Sequence, residues 1–279
     1  MKKIQIAVLG MAAIVMTACN DYKGYKKTES GLRYRFHTQN DTSRQAQIGD
    51  VLSLSLEIRT DGDSLLQSRP EIQTMLQAPK FQGDLYEGLK MMHVGDSATF
   101  IIPAEEYFRT YNYGQIPDFV QKNSMLHMTA CLHGIQSFEE FREAQLLEAK
   151  EKEKQMIAQY LQEHNITVEP TESGLYFIET QKGKGASPSK GNNCTVHYRG
   201  TLLEGTKFDA SYDRNEPFTF QLGTGQVIAG WDEAIGMMKK GGKATLLLPS
   251  SIAYGERGAG DMIPPFTPLV FEVELLDFK

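Results

Sequence analysis

The sequence predicts an α+β protein in which two antiparallel-sheet domains, each built with one short helix, are joined by a long helix. Three observations indicate this fold class. Short alternating segments bounded by glycine or proline are typical of strands, and blocks of sequence recur along the chain, which indicates a duplicated unit. Between the two copies, residues 137–165 contain neither glycine nor proline, as expected of one long helix.

The composition narrows the class of protein. A length of 279 residues suggests two domains, and 41% hydrophobic with 23% charged residues is typical of a globular chain. The formal net charge is −6, whereas a nucleic-acid-binding surface would need a basic face. No cysteine pair has the spacing of a zinc or redox site. We therefore expect no metal, no cofactor and no nucleic-acid partner.

The N-terminus predicts a bacterial lipoprotein signal peptide over residues 1–18, followed by a polar tether over residues 19–28. Ile4 to Met16 form an apolar stretch of signal-peptide length after two lysines. The next residues, Met16-Thr17-Ala18-Cys19, resemble the cleavage box after which the cysteine is lipidated. Acyl chains on Cys19 would anchor the protein to a membrane. The alternative is an ordinary signal peptide that happens to contain a cysteine.

The repeat divides the rest of the chain into a first domain over residues 29–136 and a second over residues 166–279. The matching blocks are Glu29-Ser30-Gly31-Leu32 with Glu172-Ser173-Gly174-Leu175, and Ala98 to Pro103 with Ala244 to Pro249. The spacing within the two pairs of blocks differs by three residues. One small insertion would produce this difference, so the first domain is predicted to be a diverged copy of the second.

A linker helix is predicted over residues 137–165, beginning with a capping box. Ser137 is followed three positions later by Glu140, the spacing at which the two residues satisfy each other's backbone N–H groups. Residues Glu148 to Lys154 are polar on nearly all sides, and a helix with a polar middle usually bridges between packed ends. The pattern favours a stiff spacer that holds the domains apart over a dimerisation helix.

Local patterns in the second domain predict four strands and one short helix. The strands cover Asn193–Leu202, Pro217–Leu222, Lys243–Pro249 and Pro268–Phe278. The segment Gly230–Met238 is predicted to be helical because its apolar residues fall on one side. Antiparallel strands with one helix against their concave face form an α+β unit.

Aromatic and branched side chains recur at the ends and bends of these strands, as in a small apolar binding pocket. The segments that carry this pattern are Val196-His197-Tyr198, Lys207-Phe208-Asp209, Pro217-Phe218-Thr219-Phe220, Val227-Ile228-Ala229-Gly230-Trp231, Ala253-Tyr254-Gly255, Ile263-Pro264-Pro265 and Leu269-Val270-Phe271. From about Gly174 to Lys279 their order and spacing resemble the FK506-binding-protein (FKBP) family of peptidyl-prolyl cis-trans isomerases. The resemblance implies a half-wrapped sheet around one short helix, a hydrophobic pocket between them, and catalysis of rotation about X-Pro bonds.

The resemblance also assigns roles to individual residues. Those expected to be catalytic are Tyr198, Phe208, Asp209, Trp231, Tyr254 and Phe271. Those expected to bind substrate are Phe218, Val227, Ile228, Ile263 and Arg214. The Tyr254 hydroxyl and the Ile228 backbone N–H are the expected donors to a substrate carbonyl. An FK506-type macrolide is an expected ligand, but Ala259 and Met262 depart from the usual family loop and leave its affinity open.

The same comparison predicts that the first domain has lost these pocket residues. It pairs Tyr198 with Ser55, Phe208 with Leu65, Asp209 with Leu66, Trp231 with Leu85, Tyr254 with Phe108 and Phe271 with His127. We therefore expect a degenerate copy that serves as a structural or docking module. A pocket of altered specificity is the alternative.

Together these features predict a lipid-anchored isomerase of the cell envelope, held at the outer membrane and facing the periplasm. Its partners would be proline-containing unfolded or nascent exported polypeptides, whose folding is limited by slow X-Pro exchange. The alternative is a holding chaperone or peptide-binding module with little isomerase activity. A surface lipoprotein acting on host material is a weaker possibility, and the sequence leaves dimerisation open.

Overall fold

The computed structural model of the chain describes residues 22–112 and 114–279. Within these ranges the chain forms two compact units, of which the first ends at Phe141 and the second begins at Arg142. The predicted signal peptide and Cys19 lie outside the described residues. None of the helices in the described ranges has the length and hydrophobicity that crossing a membrane requires.

In the described part of the first unit, six strands form one antiparallel sheet. The elements are β1 (Lys26–Lys27), β2 (Arg33–Thr38), β3 (Val51–Thr60), β4 (Leu65–Met75), α1 (Leu85–Lys90), β5 (Ser97–Pro103), α2 (Ala104–Tyr111) and β6 (Met125–Gln136). The strands lie side by side in the order β1-β2-β5-β6-β3-β4.

Alternation along β3 gives this sheet a buried face. Leu52, Leu54 and Leu56 are buried in the core, whereas the serines between them are only partly buried. Successive side chains of a strand point to opposite faces, so this pattern assigns one face to the core. The helix α1 packs close to the sheet at Gly88, where an added Cβ would lie 2.4 Å from the ring of Phe100.

The second unit repeats the arrangement and adds most of the long helix. The elements are α3 (Phe138–Glu163), β7 (Tyr176–Gln181), β8 (Asn193–Leu202), β9 (Lys207–Ala210), β10 (Phe218–Gln221), α4 (Ala229–Met237), β11 (Lys243–Leu248) and β12 (Leu269–Phe278), with 3₁₀ turns at Ser211–Arg214, Ser250–Ile252 and Gly255–Arg257. The strands lie in the order β10-β8-β12-β11-β7, and β9 pairs with β8. The first unit has the equivalent order β4-β3-β6-β5-β2, in which these strands take the places of β10, β8, β12, β11 and β7 respectively. The predicted fold class is therefore confirmed.

Strand pairing corrects the residue-by-residue comparison of the two units. Ala98 and Ala244, which the sequence matches, pair through the neighbouring strand with Leu56 and Tyr198 respectively. Tyr198 therefore corresponds to Leu56 and not to Ser55. By the same registers, Phe208 corresponds to Leu66, Asp209 to Gln67 and Phe271 to Met128, in place of Leu65, Leu66 and His127. The predicted pairs were wrong by one residue, and such a slip places a strand residue on the opposite face of its sheet.

The slip at Tyr198, Phe208 and Asp209 arose because two differences in length partly cancel. In the second unit Gly200 pairs with Asp209 and Val196 pairs with Phe218, and the first-unit counterparts are Ile58 with Gln67 and Leu54 with Ile72. Between these pairs the second unit has an additional turn of four residues, Ser211–Arg214. A one-residue deletion elsewhere reduces the net difference to the three residues seen in the sequence.

The long helix covers the second unit's sheet on the face opposite to α4. Leu247 of β11 packs with Val270 and with Ile157 of α3. Its neighbours Leu246 and Leu248 belong instead to the core beneath α4. From Arg142 onward the helix belongs to the second unit. The helix predicted to be a stiff spacer is therefore partly buried, because Ile157 packs on the sheet of that unit.

Candidate active site

A cavity of about 470 Å³ opens between the sheet and α4 of the second unit. Its lining residues are Tyr198, Phe208, Asp209, Phe218, Gln226, Val227, Ile228, Trp231, Tyr254 and Phe271. Two predicted site residues are not among them. Ile263 is buried in the adjacent core, with its backbone paired to Ala259, and Arg214 bonds to residues of the lining.

Aromatic rings form the floor and walls of the cavity. The Trp231 ring lies edge-on to Tyr198 and Phe271, with centroid distances of 5.0 and 5.2 Å. The rings of Phe208 and Phe271 also meet edge-on, at 5.5 Å. Such edge-to-face pairs stabilise one another beyond simple burial, so the pocket shape is held by the contacts among its own rings.

Gly200 makes room for two of these rings, and the sequence comparison did not identify it as a site residue. A Cβ at this position would lie 2.6 Å from Phe208 and 2.8 Å from Phe271. The first unit has Ile58 at the corresponding position. A glycine inside a strand pattern often marks a close approach of this kind, and that signal could have identified the residue.

Three polar side chains form a hydrogen-bonded cluster at one wall. The Tyr198 hydroxyl donates to Oδ2 of Asp209. Arg214 donates to Oδ1 of Asp209 at 2.7 Å and to the Tyr198 hydroxyl oxygen at 3.0 Å. The additional turn Ser211–Arg214 supplies this arginine, and the Ser211 hydroxyl accepts a bond from the backbone N–H of Tyr198 at 2.8 Å.

The cluster sets the charge states at the cavity wall. Burial would raise the pKa of Asp209, but hydrogen bonds from Tyr198 and Arg214 outweigh it and lower that pKa below its usual value. Burial raises the pKa of Tyr198, and the hydrogen bond to Asp209 raises it further. At neutral pH the wall therefore presents a carboxylate and a protonated phenol.

Two donors are available for a ligand in the cavity. The Tyr254 hydroxyl makes no hydrogen bond to any described residue. Its pKa is raised, mainly by burial and also by the negative charge of nearby Asp209. The backbone N–H of Ile228, just before α4, also donates to no group within the described part of the chain. Both donors line the same cavity, where they could bind a carbonyl oxygen.

Comparison with known proteins assigns this chain to a family. A family model described as FKBP-type peptidyl-prolyl cis-trans isomerase matches residues 184–276. An FK506-binding protein of Neisseria meningitidis serogroup B is 55% identical over 103 residues, which are 37% of this chain and 94% of that protein. The chain belongs to the FKBP-type peptidyl-prolyl cis-trans isomerase family. Its enzyme class is therefore that of the peptidyl-prolyl cis-trans isomerases.

Longer FKBP-type proteins match the chain over part of their length. The FKBP-type 22 kDa peptidyl-prolyl cis-trans isomerase of Escherichia coli is 51% identical over 110 residues, or 39% of this chain and 52% of that protein. The crystal structure of FkpA from Escherichia coli is 39% identical, with a TM-score of 0.43, and the match covers 49% of this chain and 62% of that chain. The residues that match the FKBP family model lie in the second unit, hereafter the FKBP unit.

The first unit has a smaller cavity, of about 260 Å³, at the corresponding place. Leu56, Gln67 and Leu85 line it at the positions held in the FKBP unit by a tyrosine, an aspartate and the tryptophan. The cavity therefore lacks the Asp–Arg–Tyr cluster and the tryptophan floor. Whether this unit is catalytically silent stays a prediction.

Tyrosines give the first-unit cavity its own chemistry. Tyr86, Tyr107 and Tyr111 line one side, and the ring centroids of Tyr107 and Tyr111 are 5.5 Å apart. The Tyr111 hydroxyl donates to Asp84 at 2.7 Å, and Arg69 lies at the exposed edge. Burial raises the pKa of Tyr107, so its hydroxyl is a neutral group in the lining of this cavity.

Proposed function

We propose that the FKBP unit binds an X-Pro segment of an unfolded exported polypeptide in its aromatic cavity and accelerates rotation about the prolyl bond. The observation that carries the proposal is the joining of one apolar aromatic cavity with two unused donors, the Tyr254 hydroxyl and the Ile228 N–H. Rotation breaks no covalent bond, so a site without nucleophile or acid-base pair suits the reaction.

The physical basis of acceleration is a preference for the twisted amide. Resonance in the planar amide sets a rotation barrier of about 18–20 kcal/mol. Twisting removes that resonance and makes the carbonyl less polar, so a water-poor aromatic pocket favours the twisted form over the planar one. Each factor of ten in rate requires about 1.4 kcal/mol of such differential stabilisation.

The polar groups would orient the substrate backbone. Tyr254 and Ile228 would hold carbonyl oxygens beside the proline ring, which keeps the chain in a bent conformation close to the twisted one. Asp209 is committed to Arg214 and Tyr198, so its role would be to hold the Tyr198 ring against Trp231. Enclosing the proline between fixed rings avoids reorganisation during the rotation.

The proposed location is the cell envelope, with the protein lipid-anchored at the outer membrane and facing the periplasm. It is supported by the apolar stretch Ile4 to Met16 after two lysines and by the sequence Met16-Thr17-Ala18-Cys19 that ends it. Proline-limited folding takes tens to hundreds of seconds without catalysis, and newly exported chains are the substrates to which an anchored isomerase would have access.

The test is an isomerisation assay on a chromogenic X-Pro peptide, using the soluble chain from Asn20. We expect Asp209→Gln combined with Tyr254→Phe to lower kcat/KM by about a hundredfold, since the first change disrupts the hydrogen bonds at the wall and the second removes a donor to the substrate. Asp209→Gln also introduces the residue found at the first unit's corresponding position. Tyr107→Phe in the first unit is the matched control and should leave kcat/KM unchanged. Full activity in the double variant, or none in the wild type, would contradict the proposal.

We further propose that the first unit holds the unfolded client while the FKBP unit acts. The specific observation in favour is the tyrosine-lined cavity at the place corresponding to the proline pocket. Five aliphatic side chains form its floor, namely Leu54, Leu56, Ile72, Leu85 and Leu89. Such a cavity would accept one large apolar side chain, with the Tyr107 hydroxyl donating to the neighbouring backbone.

Filling the first cavity tests the holding role separately from catalysis. Leu85→Trp places the FKBP unit's own tryptophan at the corresponding position and should occupy the cavity. We expect about tenfold weaker binding of reduced, carboxymethylated lactalbumin, a permanently unfolded polypeptide, because an apolar anchor is lost. Activity on short peptides should stay at the wild-type level. Trp231→Leu is the reciprocal control, and unchanged binding in Leu85→Trp would exclude this cavity.

A further inference from the structure

A buried carboxylate connects the long helix to the FKBP unit's active-site loop. Glu153 lies in the polar middle of α3, yet it is only 8% exposed. Its carboxylate accepts the backbone N–H of Ser250, and at 2.8 Å the Ser250 hydroxyl as well. Burying a charged group is unfavourable unless it is hydrogen-bonded. The two hydrogen bonds from Ser250 therefore offset the cost of burying the Glu153 carboxylate.

The residue that Glu153 holds begins a short turn that precedes Tyr254 in the chain. Ser250–Ile252 form a 3₁₀ turn directly after β11. The Ser250 carbonyl accepts the backbone N–H of Ala253 at 2.9 Å. A short chain of bonds thus leads from the helix through Ser250 to the residue before Tyr254, whose hydroxyl reaches the cavity.

An apolar contact fixes the height of Glu153 on the sheet. Ile157 follows it by four positions, so both side chains lie on the same face of α3. Ile157 is buried with Leu247 and Val270 on the back of the sheet. The helix is therefore seated by Ile157, and Glu153 is presented to the loop at a defined position.

We infer that Glu153 is a positioning residue for prolyl isomerisation, which acts by holding the Tyr254 loop through Ser250. On this basis α3 not only connects the two units but also positions the Tyr254 loop of the FKBP unit. The inference rests on the proposed role of Tyr254 as a donor to substrate.

The test compares variants that separate packing from hydrogen bonding. Glu153→Leu keeps apolar volume at the site but leaves the Ser250 N–H without its acceptor. We expect kcat/KM on an X-Pro peptide to fall about tenfold. Glu153→Gln retains an acceptor oxygen and should restore most of the activity. If Glu153→Leu does not fold, as judged by Trp231 fluorescence, Ser250→Ala removes only the hydroxyl bond and should lower kcat/KM about threefold.

A double-mutant cycle then distinguishes positioning from general damage to the fold. If Glu153 acts through Tyr254, adding Glu153→Leu to Tyr254→Phe should cause no further loss, since coupled residues are not additive. If the losses in kcat/KM of the two single variants multiply in the double variant, or if Glu153→Leu folds and has full activity, the positioning role alone would be overturned. An unaffected Tyr254→Phe would overturn the proposed role of Tyr254, and the inference with it.

Discussion

At Asp209 two opposing effects act on one carboxyl group. Burial disfavours its charge, whereas the hydrogen bonds from Tyr198 and Arg214 favour it, and the net result is a lowered pKa. The phenols of Tyr198 and Tyr254 have raised pKa values, in each case with burial as the largest cause. The protonation states of the cavity are therefore the same throughout the neutral range.

This balance predicts a flat pH profile for isomerisation. We expect kcat/KM on a peptide to be constant from about pH 5 to about pH 9, since free Asp titrates near 4 and free Tyr near 10. Because the pKa of Asp209 is lower in the folded than in the unfolded protein, its carboxylate stabilises the fold at pH values above the unfolded pKa. This contribution is lost as the pH falls through the folded pKa. The measurement is the pH dependence of kcat/KM, with Trp231 fluorescence to monitor folding.

The control for the pH profile is Asp209→Asn, which removes the titrating group. It should lower the plateau and remove the part of the acid limb that is due to Asp209. An acid limb near neutral pH in the wild type would show that another group controls the site.

At the scale of elements, one four-residue turn distinguishes the walls of the two cavities. Ser211–Arg214 brings Arg214 to Asp209 and anchors the turn to β8 through the Ser211 hydroxyl. The first unit passes from Gln67 to Ile72 without this turn, and the cation in its cavity wall is Arg69, which lies within that shorter connection.

Much of the fold and site could be predicted because local pattern and pocket chemistry coincide. The strand Asn193–Leu202 has the bounds that its alternation predicts, and the helix observed as Ala229–Met237 is within one residue of the predicted Gly230–Met238. The ring of Trp231 lies in the cavity where the resemblance places it. Tyr254 lies there as well, with its hydroxyl unused by any described residue.

What could not be predicted depends on long-range contacts. Glu153 sits in a polar stretch with no local sign of burial, and its partner Ser250 is 97 residues away. Ile263 follows the family spacing, but the structure buries it beside the cavity and not in its lining. The one-residue slip at Ser55 shows the same limit, since strand register is set by pairing across the sheet and not by counting along the chain.

At the scale of the molecule, each unit has a hydrophobic core of its own. Among the described residues, the core around Phe100 and the core around Leu246 have no member in common. These two side chains correspond in the two copies, because Ala98 to Pro103 matches Ala244 to Pro249. The single tryptophan, Trp231, belongs to the second core, so its fluorescence reports on the FKBP unit, whereas far-ultraviolet circular dichroism reports on both.

Matched core deletions should therefore separate two unfolding transitions. Phe100→Ala removes a fully buried ring from the first core, which typically costs about 3–5 kcal/mol of stability. We expect it to shift part of the dichroism transition to lower denaturant while the Trp231 fluorescence transition stays in place. Leu246→Ala, in the second core, should shift the Trp231 fluorescence transition to lower denaturant together with part of the dichroism transition. If Phe100→Ala moved both signals together, the chain would unfold as one cooperative body, and the FKBP unit's stability would depend on the first core.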